Sequence, residues 1–283
     1  MNSLDLSPGA DLSGLWGEVA PFWPELPWPE LIPGYGAYHR VALFPGRAVI
    51  RVSTGLGHER RARREHANAT AVGLLDLPVP TPGPIGRPVV ATEWTACAID
   101  YLPGRRRQDE EWDVVGPELT RVLAELRSVP LPVSAGLRPV RDWCGGPEWP
   151  AVVERIAAPL GRTLRRTAID AAAAVLEVER DIRPVFVHGD FGMHNLLWLG
   201  GRIAGVLDLD TACAGDPAID VAQLLGAFDP DDVERMTGAA VFARAVVHKR
   251  TLPLQVAAAA DLAGDAVLRD HALSNFVERL DEI

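Results

Sequence analysis

Two adjacent glycines, Gly200 and Gly201, stand between the apolar runs Leu-Leu-Trp-Leu and Arg-Ile-Ala-Gly-Val-Leu. A Gly-Gly pair accepts the positive φ angles of a two-residue turn, so the flanking runs are expected to fold back on each other as a tight hairpin. Counting outward from the turn pairs Leu199 with Arg202, Trp198 with Ile203, Leu197 with Ala204, Leu196 with Gly205 and Asn195 with Val206. Side chains alternate along a strand, so Asp208 is expected on the face of Val206 and Asn195, diagonally placed with about 7–8 Å between backbones. An amide oxygen and a carboxylate would then meet at the open end of the hairpin, a spacing that a divalent cation can bridge.

Composition bounds the rest. A chain of 283 residues with 48% hydrophobic content is long enough for two compact lobes. Its 26 glycines and 24 prolines show no three-residue period, which excludes a collagen-like fold. The net charge of −10 argues against binding to a nucleic-acid backbone and suits attraction of a cationic small molecule. No apolar run reaches 18 residues and the start lacks a basic-then-apolar leader, so a cytoplasmic protein without membrane contact is expected. Cys97, Cys144 and Cys213 are odd in number and widely spaced, which favours buried thiols over a disulfide framework or zinc site. Of 28 basic residues only one, Lys249, is a lysine.

The first thirty residues carry Trp16, Trp23 and Trp28 among Pro21, Pro24, Pro27 and Pro29, a spacing that forbids a long helix. These aromatics either line a ligand groove or anchor the terminal segment on a core, and anchoring is the more economical reading. Strands are expected at Tyr38–Phe44 and Arg47–Val52, then a helix from His58 to Leu75. A proline-rich passage, Pro78 to Pro88, precedes two further β-rich runs, Val89–Trp94 and Ala96–Leu102. Beyond these the pattern is mainly helical, at 110–128, 148–158, 161–180, 216–226, 231–247 and, with breaks, 252–281. One β element interrupts it, formed by Val185–Val187, Leu196–Leu199 and Arg202–Leu207. The architecture expected is α+β, with a smaller β-rich lobe over residues 1–102 and a larger helical lobe over 103–283.

Asp190 stands five residues before Asn195 and two after His188. This is the Asp-x-x-x-x-Asn spacing of phosphoryl-transfer loops, in which the Asp accepts the proton of the attacking hydroxyl and the Asn binds metal. With His188-Gly189-Asp190, Asn195, Val206-Leu207-Asp208 and Gly215-Asp216-Pro217-Ala218-Ile219-Asp220 in this order, the chain resembles the aminoglycoside phosphotransferase-like kinases. The resemblance is closest over residues 185–226 and implies a protein-kinase-like two-lobed fold. It implies ATP or GTP as phosphate donor, Mg²⁺ on Asn195 and Asp208, and Asp190 as the base. His188 is expected to tie the loop. Asp216-Pro217 has a local explanation as a helix start, although an acid there is also a candidate for contact with substrate. The helix that follows is apolar nearly all round, so Asp220 is buried with it and needs donors. By analogy with the fold these are backbone N–H groups of the 188–191 loop. Asp210 is either a turn residue or a ligand for a second metal or a substrate amine.

A kinase-like small lobe holds nucleotide phosphates with a strand cation steadied by a helix carboxylate. The usual lysine is missing, and Arg51 in Ala-Val-Ile-Arg-Val is at the matching strand position. Glu65 shares a helix face with Ala62, Ala69 and Val72 and is paired here with Arg51; the alternative is a boundary Glu bonded to Arg61 or water. Gly34–Val41 is either a flexible loop over the phosphates or a plain turn. The stretch Ala98–Gly104, with Asp100 and Leu102, looks like the family's interlobe connector, whose main chain meets the base. Arg105-Arg106-Arg107 reads as a solvated charge run.

Residues 203–234 hold eight acids and no lysine or arginine. Part of this charge suits a polycationic hydroxylated acceptor, an aminoglycoside or a viomycin- or capreomycin-like cyclic peptide. A macrolide, choline or homoserine, a nucleotide-binding pseudokinase and a metal-dependent hydrolase are the competing readings.

Overall fold

A computed structural model describes residues 13–35, 39–107, 110–132 and 135–280. The chain divides into two compact units, one holding the described residues up to Thr70 together with Pro82–Pro103, the other Ala71–Thr81 and the described residues from Gly104 onward. A single cut at 102/103 therefore leaves out the excursion of residues 71–81, which pack with the second unit.

In the first unit a short helix α1 (Ser13–Val19) precedes strands β1 (Ile32–Tyr35), β2 (His39–Phe44) and β3 (Ala48–Thr54). Helix α2 (His58–Val72) and strands β4 (Pro84–Val90) and β5 (Trp94–Asp100) follow. The sheet is antiparallel in the order β1-β2-β3-β5-β4. Alternation gives it two different faces. Ala42, Phe44, Ala48, Ile50, Val52, Trp94, Ala96 and Ala98 form the apolar face, against which Leu15, Trp16, Val19 and Leu26 pack. The indole of Trp28 meets Phe44 edge-on at 5.0 Å, and Trp94 Nε1 donates to Glu18 at 2.8 Å. The tryptophans of the terminal segment are thus anchors on a core. The opposite face carries His39, Arg51, Ser53 and Thr95, and there His58 at the start of α2 lies 2.9 Å from Thr95.

β4 begins at Pro84, inside the passage expected to be irregular, and β5 begins at Trp94 where a continuous run to Trp94 was expected to end. Pro84 and Pro88 are tolerated because β4 is an edge strand with a register shift between Ile85 and Val89. Pro33 sits in the other edge strand, β1, which the sequence pattern did not suggest.

The second unit contains β6 (Arg105–Arg106), α3 (Trp112–Arg127), α4 (Trp149–Ile156) and α5 (Arg162–Glu179). Next come β7 (Val185–Val187), β8 (Leu196–Leu199), β9 (Arg202–Val206), β10 (Cys213–Gly215), and helices α6 (Ala218–Leu224), α7 (Pro230–Thr237), α8 (Ala239–Ala263) and α9 (Ala266–Glu278). Trp149, Val153, Val175, Leu254, Leu273 and Phe276 are the large members of its helical core, and Ala168, Ala172, Ala257 and Ala258 let helix axes approach closely. The break expected near residue 250 is absent, because α8 runs through the buried Pro253. The breaks fall instead at Gly238 and Gly264, both at positive φ. Burial of the alanine-rich face outweighs the hydrogen bond that a mid-helix proline forfeits. β6 and β10, which pair with β8 and β7, are too short to leave a periodic signature.

The three cysteines are free thiols. Among the described residues no helix is long and apolar enough to cross a membrane.

Replacing Trp16 with Ala removes an indole that is 8% exposed from this core. The expected outcome is a loss of about 3–5 kcal/mol, read as a lower midpoint in urea unfolding. An unchanged midpoint would mean that the terminal segment is not anchored.

Candidate active site

The hairpin of β8 and β9 turns at Gly200-Gly201, both at positive φ, as their sequence requires. Leu199 faces Arg202 and Trp198 faces Ile203, but the register then slips, with Leu197 opposite Gly205 and Leu196 opposite Val206. Ala204 is the extra residue of a β-bulge. The simple count is thereby corrected by one residue: the carbonyl of Asn195 accepts from Leu207 N at 2.8 Å. Asp208 follows directly and leaves the strand in the left-handed region, at φ 61° and ψ 71°. Its side chain is exposed, and after the bulge and this bend strand alternation no longer sets its direction. Glu118 of α3 holds the hairpin from behind, accepting from Ile203 N at 2.9 Å while bound to Arg121 and Arg202.

The loop after β7 is stitched to the same strand end. His188 is 1% exposed; its Nε2 donates to Leu207 O at 2.7 Å and its Nδ1 accepts from Asp190 N at 3.3 Å. These two bonds require the neutral Nε2–H tautomer, and they make His188 a tie between loop and strand. Asp220, buried on α6, accepts from His188 N at 2.9 Å through Oδ2 and from Gly189 N at 2.7 Å through Oδ1. Burial pushes its carboxyl up, against the pull of these donors. Gly189 has φ 85°, and a Cβ there would lie 2.5 Å from Thr211 O, so only glycine fits.

Asp190 projects from this loop with its side chain 35% exposed. Asn195 Nδ2 donates both to Asp190 O and to Asp190 Oδ2, each at 3.0 Å. His194 Nε2 lies 3.2 Å from the same Oδ2. Burial opposes the charge on Asp190, but His194, His188 and Asn195 outweigh it and hold the carboxyl below its usual range. The same contact with Asp190 raises the imidazole of His194 above its usual value. No sequence pattern marks His194; its only signal is its place four residues after Asp190.

Asn195 spends its amide nitrogen on Asp190, so its Oδ1 is the atom left for a cation. Together with the exposed carboxylate of Asp208 it offers the hard oxygen donors that Mg²⁺ prefers, and the residues present fit that ion.

The remaining candidates are placed as follows. Asp216 is not a substrate contact: its side chain is fully buried. Its oxygens accept from Ala218 N at 2.9 Å and from Arg244 at 2.7 and 3.1 Å, which is the helix-start role combined with an ion pair. Asp210 is half-buried, and its carbonyl accepts from Arg138 Nη1 at 2.6 Å. In the first unit Glu65 takes its hydrogen bond from His39 Nε2 at 2.8 Å, and Arg51 Nη2 lies 3.2 Å from Nδ1 of the same ring. The imidazole of His39 thus lies within hydrogen-bond reach of both members of the expected Arg51–Glu65 pair. His39 opposes Ser53 on β2 while Val41 opposes Arg51, so His39 and Arg51 are diagonal neighbours on one face. Asp100 and Gly83 exchange two bonds, Gly83 N to Asp100 Oδ2 at 3.1 Å and Asp100 N to Gly83 O at 2.9 Å, which closes the end of β5 onto the entry to β4. Leu102 follows in half-buried coil. The centre of the Gly34–Val41 segment, residues 36–38, lies outside the described residues.

Residues 13–254 match the model of the phosphotransferase enzyme family. The chain belongs to this family. It is 27% identical to viomycin phosphotransferase of Streptomyces vinaceus over 207 residues, which is 67% of this chain and 70% of that protein. The GDP complex of wild-type aminoglycoside 2'-phosphotransferase-IIIa superposes with a TM-score of 0.73 at 15% identity, covering 96% of this chain and 100% of that one. Macrolide 2'-phosphotransferase from Brachybacterium faecium, at 22% identity, gives a TM-score of 0.60 over 93% of this chain and 97% of its own. The chain is thus a phosphotransferase of kinase-like α+β fold.

Burial works against the charge of Asp216, but His248 at 3.6 Å, Arg244 and the Ala218 N–H prevail and hold the carboxyl down to about 2. A folded-state value below that of the unfolded chain contributes stability above about pH 4, which is lost as pH falls toward 2. Asp216→Asn is expected to cost about 2 kcal/mol at neutral pH and to flatten the acid limb of a stability-versus-pH curve. An acid limb identical to that of the wild type would refute this assignment.

Proposed function

We propose that this phosphotransferase moves the terminal phosphate of ATP or GTP to a hydroxyl of a cationic antibiotic, an aminoglycoside or a viomycin- or capreomycin-type cyclic peptide, and so confers resistance. The observation that carries the reading is the Asp190 carboxylate. Both of its side-chain hydrogen bonds run to Oδ2, from Asn195 and His194, so Oδ1 remains for an acceptor hydroxyl. Phosphoryl transfer needs positioning and charge neutralisation more than covalent help, because its transition state is loose. Asp190, held ionised, orients the hydroxyl and takes its proton late in the transfer. Asn195 Oδ1 and Asp208 would hold Mg²⁺, which when bound neutralises charge on the phosphate oxygens. In the first unit, Arg51 offers a forked cation to nucleotide phosphates, and His39 steadies it against Glu65. His188 keeps its proton on Leu207 and stays outside the chemistry.

The cationic acceptor is supported by the similarity to a viomycin phosphotransferase and by acidic surface. That surface is smaller than the count of acids suggests. Asp216 and Asp220 are buried, Asp232 pairs with Arg235, and Asp229 caps α7 through Asp231 N. Asp208, Asp229 and Asp231 are the exposed ones.

Incubation with viomycin, capreomycin, kanamycin, a macrolide, choline or homoserine, each with ATP and with GTP, should give a product heavier by one phosphate group with a cationic antibiotic. A product only with the macrolide or a metabolite would overturn the acceptor class, and no product with nucleotide still bound would favour a pseudokinase. Breakdown of substrates without nucleotide would favour a hydrolase. Asp190→Ala should lower turnover by at least about a thousandfold while leaving nucleotide binding near wild type. Asn195→Ala should raise the magnesium concentration needed for half-maximal rate.

A further inference from the structure

We propose that His194 is a positioning residue that fixes the rotamer of the Asp190 carboxylate, and that Gly192 is glycine in order to make room for it. The inference rests on the reading of Asp190 as the group that receives the hydroxyl proton. Two contacts converge on Asp190 Oδ2, the Asn195 amide at 3.0 Å and His194 Nε2 at 3.2 Å. Together they define the plane in which Oδ1 points, which neither contact does alone. Asn195 is buried and is also committed to the Asp190 carbonyl, whereas His194 reaches the carboxylate from the exposed side. The imidazole can do so because it folds back over its own turn. Gly192 N donates to Asp190 O at 2.8 Å and Gly192 O accepts from Asn195 N at 2.9 Å, so Gly192 lies at the middle of the loop that joins base to amide.

The backbone of Gly192, at φ −93° and ψ 157°, is one that any residue adopts. Backbone freedom therefore does not explain the glycine. Space does: a Cβ at this position would lie 2.5 Å from Cε1 and 2.6 Å from Nδ1 of His194. The colliding group is the end of a half-exposed side chain, so alanine would expel the ring into solvent and leave the loop in place. The ring acts here as an N–H donor of fixed direction, a role that an uncharged amide of similar reach can fill.

The test compares His194→Ala, His194→Gln, Gly192→Ala, the double variant Gly192→Ala/His194→Ala and Asp190→Asn, with viomycin as acceptor probe and ATP or GTP as donor. His194→Ala should lower kcat about ten- to one-hundredfold, the loss expected for one hydrogen bond to a charged group, with KM for both substrates unchanged. His194→Gln should recover most of it. Gly192→Ala should match His194→Ala in kcat at an unchanged melting midpoint, and the double variant should be no worse than either single one. Wild-type kcat in His194→Ala, or losses that multiply in the double variant, would overturn the proposal. Asp190→Asn tests the underlying reading separately: turnover that survives it removes Asp190 as base whatever His194 does. Nitrogen-15 spectra of the imidazoles read the contact without any acceptor. The Nε2–H signal of His194 should shift in Gly192→Ala and in Asp190→Asn, and a signal indifferent to both would also refute the contact.

Discussion

The buried carboxylate of Asp220 is the point on which the second unit's chemistry hangs. It lies in a helix whose other inward residues are apolar, and its two oxygens are the acceptors for His188 N and Gly189 N. A carboxylate in such surroundings is costly without donors, and a loop with two buried N–H groups is equally costly without an acceptor. Each therefore fixes the other, and Asp190 projects from a loop whose backbone has nowhere else to go. The rest of the site is hung on this joint. His188 reaches from the loop to Leu207 O, Thr211 Oγ1 donates back to His188 O at 3.1 Å, and Asn195 binds Asp190 twice.

This stitching explains how Asp208 keeps an unfavourable backbone. A non-glycine residue at φ 61° costs on the order of 1–2 kcal/mol. The residue before it is held at both ends, by Asn195 O on its N–H and by His188 on its carbonyl. Two residues later Arg138 grips the Asp210 carbonyl. The strained residue is thus over-determined by neighbours on each side. Gly189 belongs to the same arrangement, since any side chain there would push Thr211 away.

Much of this was legible in the sequence where a feature is local. The Gly200-Gly201 turn, the apolar run around Asp220 and the Asp190–Asn195 spacing each dictate their structure within a few residues. What escaped detection depends on distant groups or on a single residue of slippage. Ala204 bulges next to Gly205, whose presence inside a strand signals such an irregularity without fixing which residue is skipped, and the bulge changes the partner of Asn195 from Val206 to Leu207. His39 stands between Glu65 and Arg51 because strand pairing makes it a diagonal neighbour, and helix-face counting around Glu65 cannot see across a sheet. The break expected between residues 247 and 252 is absent because α8 continues through that point and through Pro253, and only the surrounding helices supply the burial that overrides the local propensity against a mid-helix proline.

The near absence of lysine has a structural reading as well. Arg138 satisfies the Asp210 carbonyl and the Asp142 carboxylate at once, Arg141 forms a two-pronged pair with Glu179 while covering the Trp149 ring, and Arg244 grips both oxygens of Asp216. Each case uses the planar fork of a guanidinium, which fixes direction as well as charge, where an ammonium is a point charge without that geometry. The one lysine, Lys249, donates to the Leu225 carbonyl just past the end of α6. His248, 1% exposed, stands 3.7 Å from Glu179 and 3.6 Å from Asp216. It thus links the Arg141 pair on α5 to the Arg244 pair at the start of α6. Removing one charge from such a set strands its partner without solvent, so the network resists piecemeal change. It therefore holds the start of α6, and with it Asp220, where the loop of Asp190 requires it to be.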